Sequence, residues 1–141
     1  MKIITNSEKE TFELGKKFVK KIKPGDIIGL IGDLGAGKTI FAKGMADGLG
    51  VKQNINSPTF VIMKIYKINT SQIKQFCHID TYRLKHAQDL INIGADEYFN
   101  QPHAVTIIEW ADKILNILPK KTKFIKIKHK SEHQRIVEYN N

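Results

Sequence analysis

Residues 32–39 read GDLGAGKT and match G-x-x-x-x-G-K-[ST], a loop that wraps a phosphate with its backbone N–H groups. Such a loop works between a strand and a helix, so it constrains the surrounding fold as well as the ligand. Gly32, Gly35 and Gly37 allow a backbone path in which a Cβ would clash. Lys38 brings a mobile point charge, and the Thr39 hydroxyl can ligate the Mg²⁺ that accompanies a nucleoside triphosphate. The flanks supply the required context. Ile27-Ile28-Gly29-Leu30-Ile31 is a short apolar run without polar alternation, which predicts a strand buried on both faces. Beyond the loop, Phe41, Met45 and Leu49 recur at helical spacing, with Gly50 placed as a C-cap. A helix starting there aims its unpaired N–H groups and positive dipole end at the phosphates.

At 141 residues the chain has room for one domain. Its 41% hydrophobic and 26% charged residues are those of a soluble globular protein, and no apolar run is long enough to span a bilayer. The segment Met1–Asn6 lacks a signal-peptide apolar region, so a cytoplasmic location is expected. Cys77 is the sole cysteine, which excludes an internal disulfide and a cysteine-based zinc cluster. Its apolar neighbours predict a buried, inert thiol. The net charge of +9 is almost all lysine, the only arginines being Arg83 and Arg135. The lysines are spread along the chain, which favours solvated faces over a nucleic-acid surface. The densest run, Lys120 to Lys130, alternates with Phe124, Ile125 and Ile127 and predicts an edge strand with a charged outer face.

The remaining pattern is α/β. Ile3-Ile4 predicts a short strand. Ser7-Glu8-Lys9-Glu10 is a capping box, with Ser7 as N-cap and Glu10 at N3, opening a helix that stops at Pro24-Gly25. Phe60–Tyr66 and Ile73–Ile79 predict a hairpin around the turn cluster Asn69-Thr70-Ser71-Gln72. His86–Phe99 reads as a helix interrupted at Gly94, Val105–Ile108 as a second buried strand, and Ala111–Leu118 as a short helix closed by Pro119. Lysine-rich strands near 122–128 and 134–139 finish the chain. The expected fold is a single P-loop domain over residues 1–141: a mixed, mostly parallel sheet, helices on both faces, and a C-terminal strand pair.

Ligands of α/β sheets sit beyond the carboxyl ends of the parallel strands, and two acids stand at such ends. Glu109 closes the strand Val105–Ile108, and Asp80 follows Ile73–Ile79. Either can hold Mg²⁺, directly or through water, or orient an attacking water. Ser57-Pro58-Thr59 reads equally as a switch loop, with Thr59 reaching the γ-phosphate or the metal, or as a plain proline turn. Arg83 divides between a phosphate or partner contact and a local carboxylate pair. Tyr82 reads as packing, and His78 as a structural hydrogen bonder rather than a metal ligand.

The set GDLGAGKT, Ser57-Pro58-Thr59-Phe60, HIDTYRL (His78–Leu84) and Ile108-Glu109-Trp110 resembles the bacterial TsaE family, also called YjeE, over about residues 5–137. The loop alone is common to many families; HxDxYRL together with IEW is far more specific. The resemblance implies a small ATPase that binds ATP with Mg²⁺ and is required for threonylcarbamoyladenosine in tRNA. It also implies work beside TsaB, TsaD and a TsaC-type synthase, with docking on the TsaB–TsaD pair. Carried over residue by residue, it makes Leu34, Gly35, Ala36, Gly37, Lys38 and Thr39 the phosphate cradle, with Thr39 and Glu109 on the metal side. It makes Asp80 the essential acid, Thr59 a switch residue, Trp110 a neighbour of the nucleotide and Glu8 a border of the adenine. Lys38, Asp80 and Glu109 are the expected catalytic set. Ile40 departs from the family, which commonly carries a second threonine there.

Other classes fare worse on the same residues. A small P-loop kinase calls for several cationic side chains and a lid, and the chain has two arginines. A GTP switch needs N-K-x-D, which is absent.

Overall fold

The structure is a computed structural model that describes residues 1–55, 62–69 and 72–140. The described residues form a seven-stranded mixed sheet with a helical layer on each face. In chain order the strands are β1 (Lys2–Thr5), β2 (Ile27–Ile31), β3 (Met63–Lys67), β4 (Gln75–Asp80), β5 (Ala104–Glu109), β6 (Lys123–His129) and β7 (Arg135–Tyr139). In space they run β1-β7-β6-β2-β5-β4-β3. The central pairings β6/β2, β2/β5 and β5/β4 are parallel, and the outer ones are antiparallel.

The α-helices are α1 (Glu8–Phe18), α2 (Lys38–Gly48) and α3 (Ala87–Asn92). Shorter 3-10 segments cover Val19–Lys21, Ala95–Asn100 and Ala111–Ile117. The alternation of the central strands sorts their side chains into two cores. Ile28, Leu30, Phe76, Val105, Ile107, Ile125 and Ile127 meet Phe41, Met45 and Phe18 under α1 and α2. Ile27, Cys77, Ile79 and Ile108 meet Leu90, Phe99 and Ile114 on the other face. Burial pushes the Cys77 thiol up to about 12, so the lone cysteine is inert as expected.

Local chemistry explains most boundaries. Ser7 Oγ accepts from the Glu10 N–H at 3.1 Å, as an N-cap should. The Glu10 carboxylate reaches one residue further back than a capping box requires, to the Asn6 N–H at 2.7 Å. α2 closes with a Schellman pattern: the Gly50 N–H bonds the Asp47 carbonyl and the Val51 N–H bonds that of Ala46. The expected helix over 86–99 is divided at Gly94, whose φ of 77° no helix accommodates, and its second half tightens to 3-10. Ala111–Ile117 is likewise 3-10 rather than α. The hairpin of β3 and β4 is present from Met63 onward; Phe60, Val61, Thr70 and Ser71 of that prediction lie outside the described residues.

One expectation is overturned. The lysine-rich run is not an edge strand, because β6 lies between β2 and β7. Ile125 and Ile127 face the α1/α2 core, while Lys126 and Lys128 point to the opposite face of the sheet and are exposed. A charged stripe at period two marks an uncovered sheet face as well as an edge, and the alternation cannot separate them. The exposed face here is that of the antiparallel lobe β1-β7-β6.

α1 and α2 pack against each other unusually closely, through glycines. A Cβ on Gly44 would lie 2.0 Å from the Phe12 carbonyl oxygen, and one on Gly15 would lie 2.3 Å from that of Phe41. Helix propensity alone would have Gly44→Ala add about 1 kcal/mol of stability. The contact reverses the sign: we expect a loss of about 2 kcal/mol or more from overpacking. Urea unfolding of the variant measures it, and a midpoint at or above wild type would show that the helices separate without cost.

Candidate functional site

Three parallel strands bring the chemistry together. β2, β5 and β4 are neighbours, and their register sets Leu30 beside Glu109 and Glu109 beside Asp80. The carboxyl ends therefore deliver the phosphate loop and two acids to one rim. α2 begins immediately after the loop, with Gly37 as N-cap at φ 102° and Gly35 at φ 74°. Gly32 has a different reason from its two partners: a Cβ there would sit 2.1 Å from the Ile127 carbonyl oxygen of β6. Its role is close approach to the neighbouring strand.

The rim opens into a cavity of about 690 Å³. Leu34, Gly35, Gly37, Lys38, Thr39, Asp80, Glu109, Trp110 and Glu8 all line it, so nearly every residue singled out from the sequence converges there. Ala36 is the exception, fully buried against the α2 core with its N–H donated to the Asp33 carbonyl. Thr59 and the rest of Ser57-Pro58-Thr59 lie outside the described residues.

Glu109 is 2% exposed, and each of its carboxylate oxygens has a partner. Oε1 accepts from the Thr39 hydroxyl at 2.7 Å, and Oε2 lies 2.6 Å from His78 Nε2. His78 is fully buried, and its Nδ1 has no partner among the described residues. That pattern assigns the ring hydrogen to Nε2, facing the carboxylate. His78 thus behaves as the structural hydrogen bonder expected of it. Asp80 is also buried, and its Oδ1 accepts from the Tyr82 N–H at 2.9 Å.

Lys38 is folded inward. Its Nζ donates to the Gly32 and Asp33 carbonyls at 2.6 and 2.7 Å and lies 4.0 Å from the centre of the Trp110 ring. Burial pushes its ammonium below the usual lysine value, while the carboxylates of Glu109, Asp80, Asp112 and Asp33 act in the opposite sense. Such a charge gains from an arriving anion.

Trp110 has φ 60°, the one positive value outside glycine among the described residues. A bulky residue holds that conformation only when its surroundings over-determine it. Here the Thr81 hydroxyl and the Lys113 N–H both donate to its carbonyl. Tyr82 stacks on the indole with ring centres 4.9 Å apart. Tyr82 is 43% exposed, so it covers Trp110 instead of joining the core.

Other lining residues carried no signal in the sequence. Arg135 and His133, at the start of β7 and in the turn before it, reach the cavity from a point about 100 positions beyond the loop, opposite Thr11 of α1. Arg135 Nη1 donates to the Ser131, Glu132 and Gln134 carbonyls, and Nη2 reaches the Gly35 carbonyl at 3.5 Å. It ties the β6–β7 turn to the phosphate loop. Arg83 also lines the cavity, so both arginines of the chain border it.

The family model described as "Threonylcarbamoyl adenosine biosynthesis protein TsaE" matches residues 5–137. The chain belongs to the TsaE family. It is 38% identical over 135 residues to the Bacillus subtilis tRNA threonylcarbamoyladenosine biosynthesis protein TsaE, covering 96% of this chain and 82% of that one. To the Rickettsia typhi protein of the same name it is 40% identical over 114 residues, 80% of this chain and 76% of that one. The crystal structure of Bacillus subtilis YdiB superposes with a TM-score of 0.80 at 35% identity, covering 99% of this chain and 83% of that one. The TsaE fold seen here thus agrees with the resemblance carried by the sequence motifs.

Glu109 also bears on stability. Removing its carboxylate strands a fully buried imidazole and the hydroxyl that opens α2. Glu109→Ala is therefore expected to lower stability by about 3 kcal/mol, and Glu109→Gln, which keeps an acceptor and the volume, by less than half of that. Chemical denaturation of both variants checks it; equal midpoints for Glu109→Ala and wild type would refute the buried pairing.

Proposed function

We propose that this TsaE-family protein is a Mg²⁺-dependent ATP-binding and ATP-hydrolysing subunit required to form threonylcarbamoyladenosine in tRNA. It acts in the cytoplasm through the TsaB–TsaD pair, and tRNA is the substrate of the assembly. The observation that carries the nucleotide reading is the Thr39–Glu109 hydrogen bond at the start of α2, directly after the phosphate loop. Thr39 donates its O–H hydrogen bond to Glu109, which leaves the hydroxyl lone pairs for a cation beside the loop N–H groups. Both donors are hard oxygens, which suit Mg²⁺. The described residues contain no cluster of three or more His, Cys, Asp or Glu able to hold a metal by themselves. That agrees with an ion carried in largely by phosphate oxygens.

Each residue then has a role. Thr39 and Glu109 hold Mg²⁺, which when bound neutralises charge on the β- and γ-phosphates. Lys38 exchanges two loop carbonyls for phosphate oxygens. Asp80, in register beside Glu109, orients the attacking water. The loop N–H groups and the α2 N-terminus supply fixed positive potential. Glu8, Thr11, His133 and Arg135 also line the cavity and are the residues assigned here to the nucleoside. The tRNA role draws support from the family match and from relatives that carry tRNA threonylcarbamoyladenosine biosynthesis in their names.

Isolated protein is expected to bind ATP and hydrolyse it slowly. Lys38→Ala is expected to cut turnover about 100-fold or more; a radiolabelled-phosphate release assay that gives wild-type rates would reject the assignment. The biological role is tested by reconstituting tRNA modification from purified partners with and without this chain. Product should accumulate over many turnovers only when it is present, and undiminished accumulation without it would exclude a required role.

A further inference from the structure

We infer that His78 is a positioning residue for the metal-side carboxylate: it holds Glu109 in the one rotation that presents Oε1 to Thr39 and the cavity. The inference deepens the proposed nucleotide site and rests on its metal reading. Three observations carry it. His78 Nε2 and Glu109 Oε2 are 2.6 Å apart, and both side chains are buried, so the contact is a charge-assisted hydrogen bond without competing water. His78 is itself fixed: it lies on β4, in parallel register with Ile107 two residues before Glu109, with the Phe76 ring 6.2 Å away on the same face. Finally, Glu109 divides its oxygens, Oε2 to His78 and Oε1 to Thr39 at 2.7 Å.

A carboxylate free to spin about its terminal torsion would present either oxygen, or turn both toward Lys38. With Oε2 occupied from β4, only Oε1 is left for the metal side. A purely structural histidine would satisfy a buried polar atom and no more. This one reaches the carboxylate oxygen opposite the cavity, the arrangement by which outer partners orient metal-binding groups. His78 is buried behind the cavity lining and acts through Glu109.

The test compares His78→Phe, which keeps a ring but has no donor, with His78→Gln, whose amide can donate again. Magnesium chloride is titrated calorimetrically into protein loaded with a non-hydrolysable ATP analogue, and analogue affinity is measured separately in EDTA. His78→Phe should weaken Mg²⁺ binding about 10–100-fold while metal-free analogue affinity stays within about 2-fold, and His78→Gln should recover most of the loss. Wild-type Mg²⁺ affinity in a folded His78→Phe protein would overturn the positioning role and leave the metal site standing. Absence of Mg²⁺ binding in wild type would overturn the metal reading and this inference with it. If His78→Phe fails to fold, the wild-type imidazole ¹⁵N spectrum decides. Adding Mg²⁺ to the analogue-loaded protein should shift the protonated Nε2, and an unmoved resonance would refute the link.

Discussion

A carboxylate shut inside a protein must be paired, and the pairing of Glu109 organises this molecule. Its two oxygens are claimed from different elements, His78 of β4 on one side and Thr39 of α2 on the other. That single group therefore welds the start of the central helix to two neighbouring strands. It also leaves the position beside the phosphate loop lined by hard oxygen donors. An unpaired charge there would cost several kcal/mol, so the same pairing that stabilises the fold fixes the carboxylate beside the cavity.

The helical layer above makes that weld possible. α1 packs on α2 at glycine-limited distance, where a Cβ on Gly15, Gly44 or Gly48 would run into a backbone carbonyl of the other helix. The N-terminus of α2 is in turn held on its outer side by the β6–β7 turn, where Arg135 gathers three carbonyls of its own hairpin and one of the loop. The cavity is thus bounded by segments from both ends of the chain. Lys38 and Trp110 form its floor, the lysine parked on carbonyls and on the indole face in a posture that an anion can draw out.

The two cores follow from strand alternation, and the lobe β1-β7-β6 departs from it. There one sheet face is left uncovered, and Lys2, Lys126 and Lys128 share it with Glu138, Ile136 and the exposed Ile4. Two of the six lysines between residues 120 and 130, Lys126 and Lys128, stand on that face, and Lys128 and Lys2 both lie near Glu138.

Much of the candidate site is legible in the sequence. The phosphate loop, its flanking strand and helix, and acids at strand ends are local patterns, because each depends on residues a few positions apart. Asp80 and Glu109 were legible for that reason, as was the break at Gly94. The order of strands was not. No local pattern says that β6 inserts beside β2, and so the lysine-rich run looked like an edge. Nor does any spacing announce that Arg135 returns to Gly35, that His78 takes one oxygen of Glu109, or that Trp110 must adopt φ 60°. Those are decided by long-range register and packing, which place distant side chains within hydrogen-bond reach only once the sheet has closed its order. The sequence alone determined which chemical groups the protein carries and the local shape of its phosphate loop; the tertiary structure decided which of those groups face one another, because pairing across strands is a property of the assembled sheet.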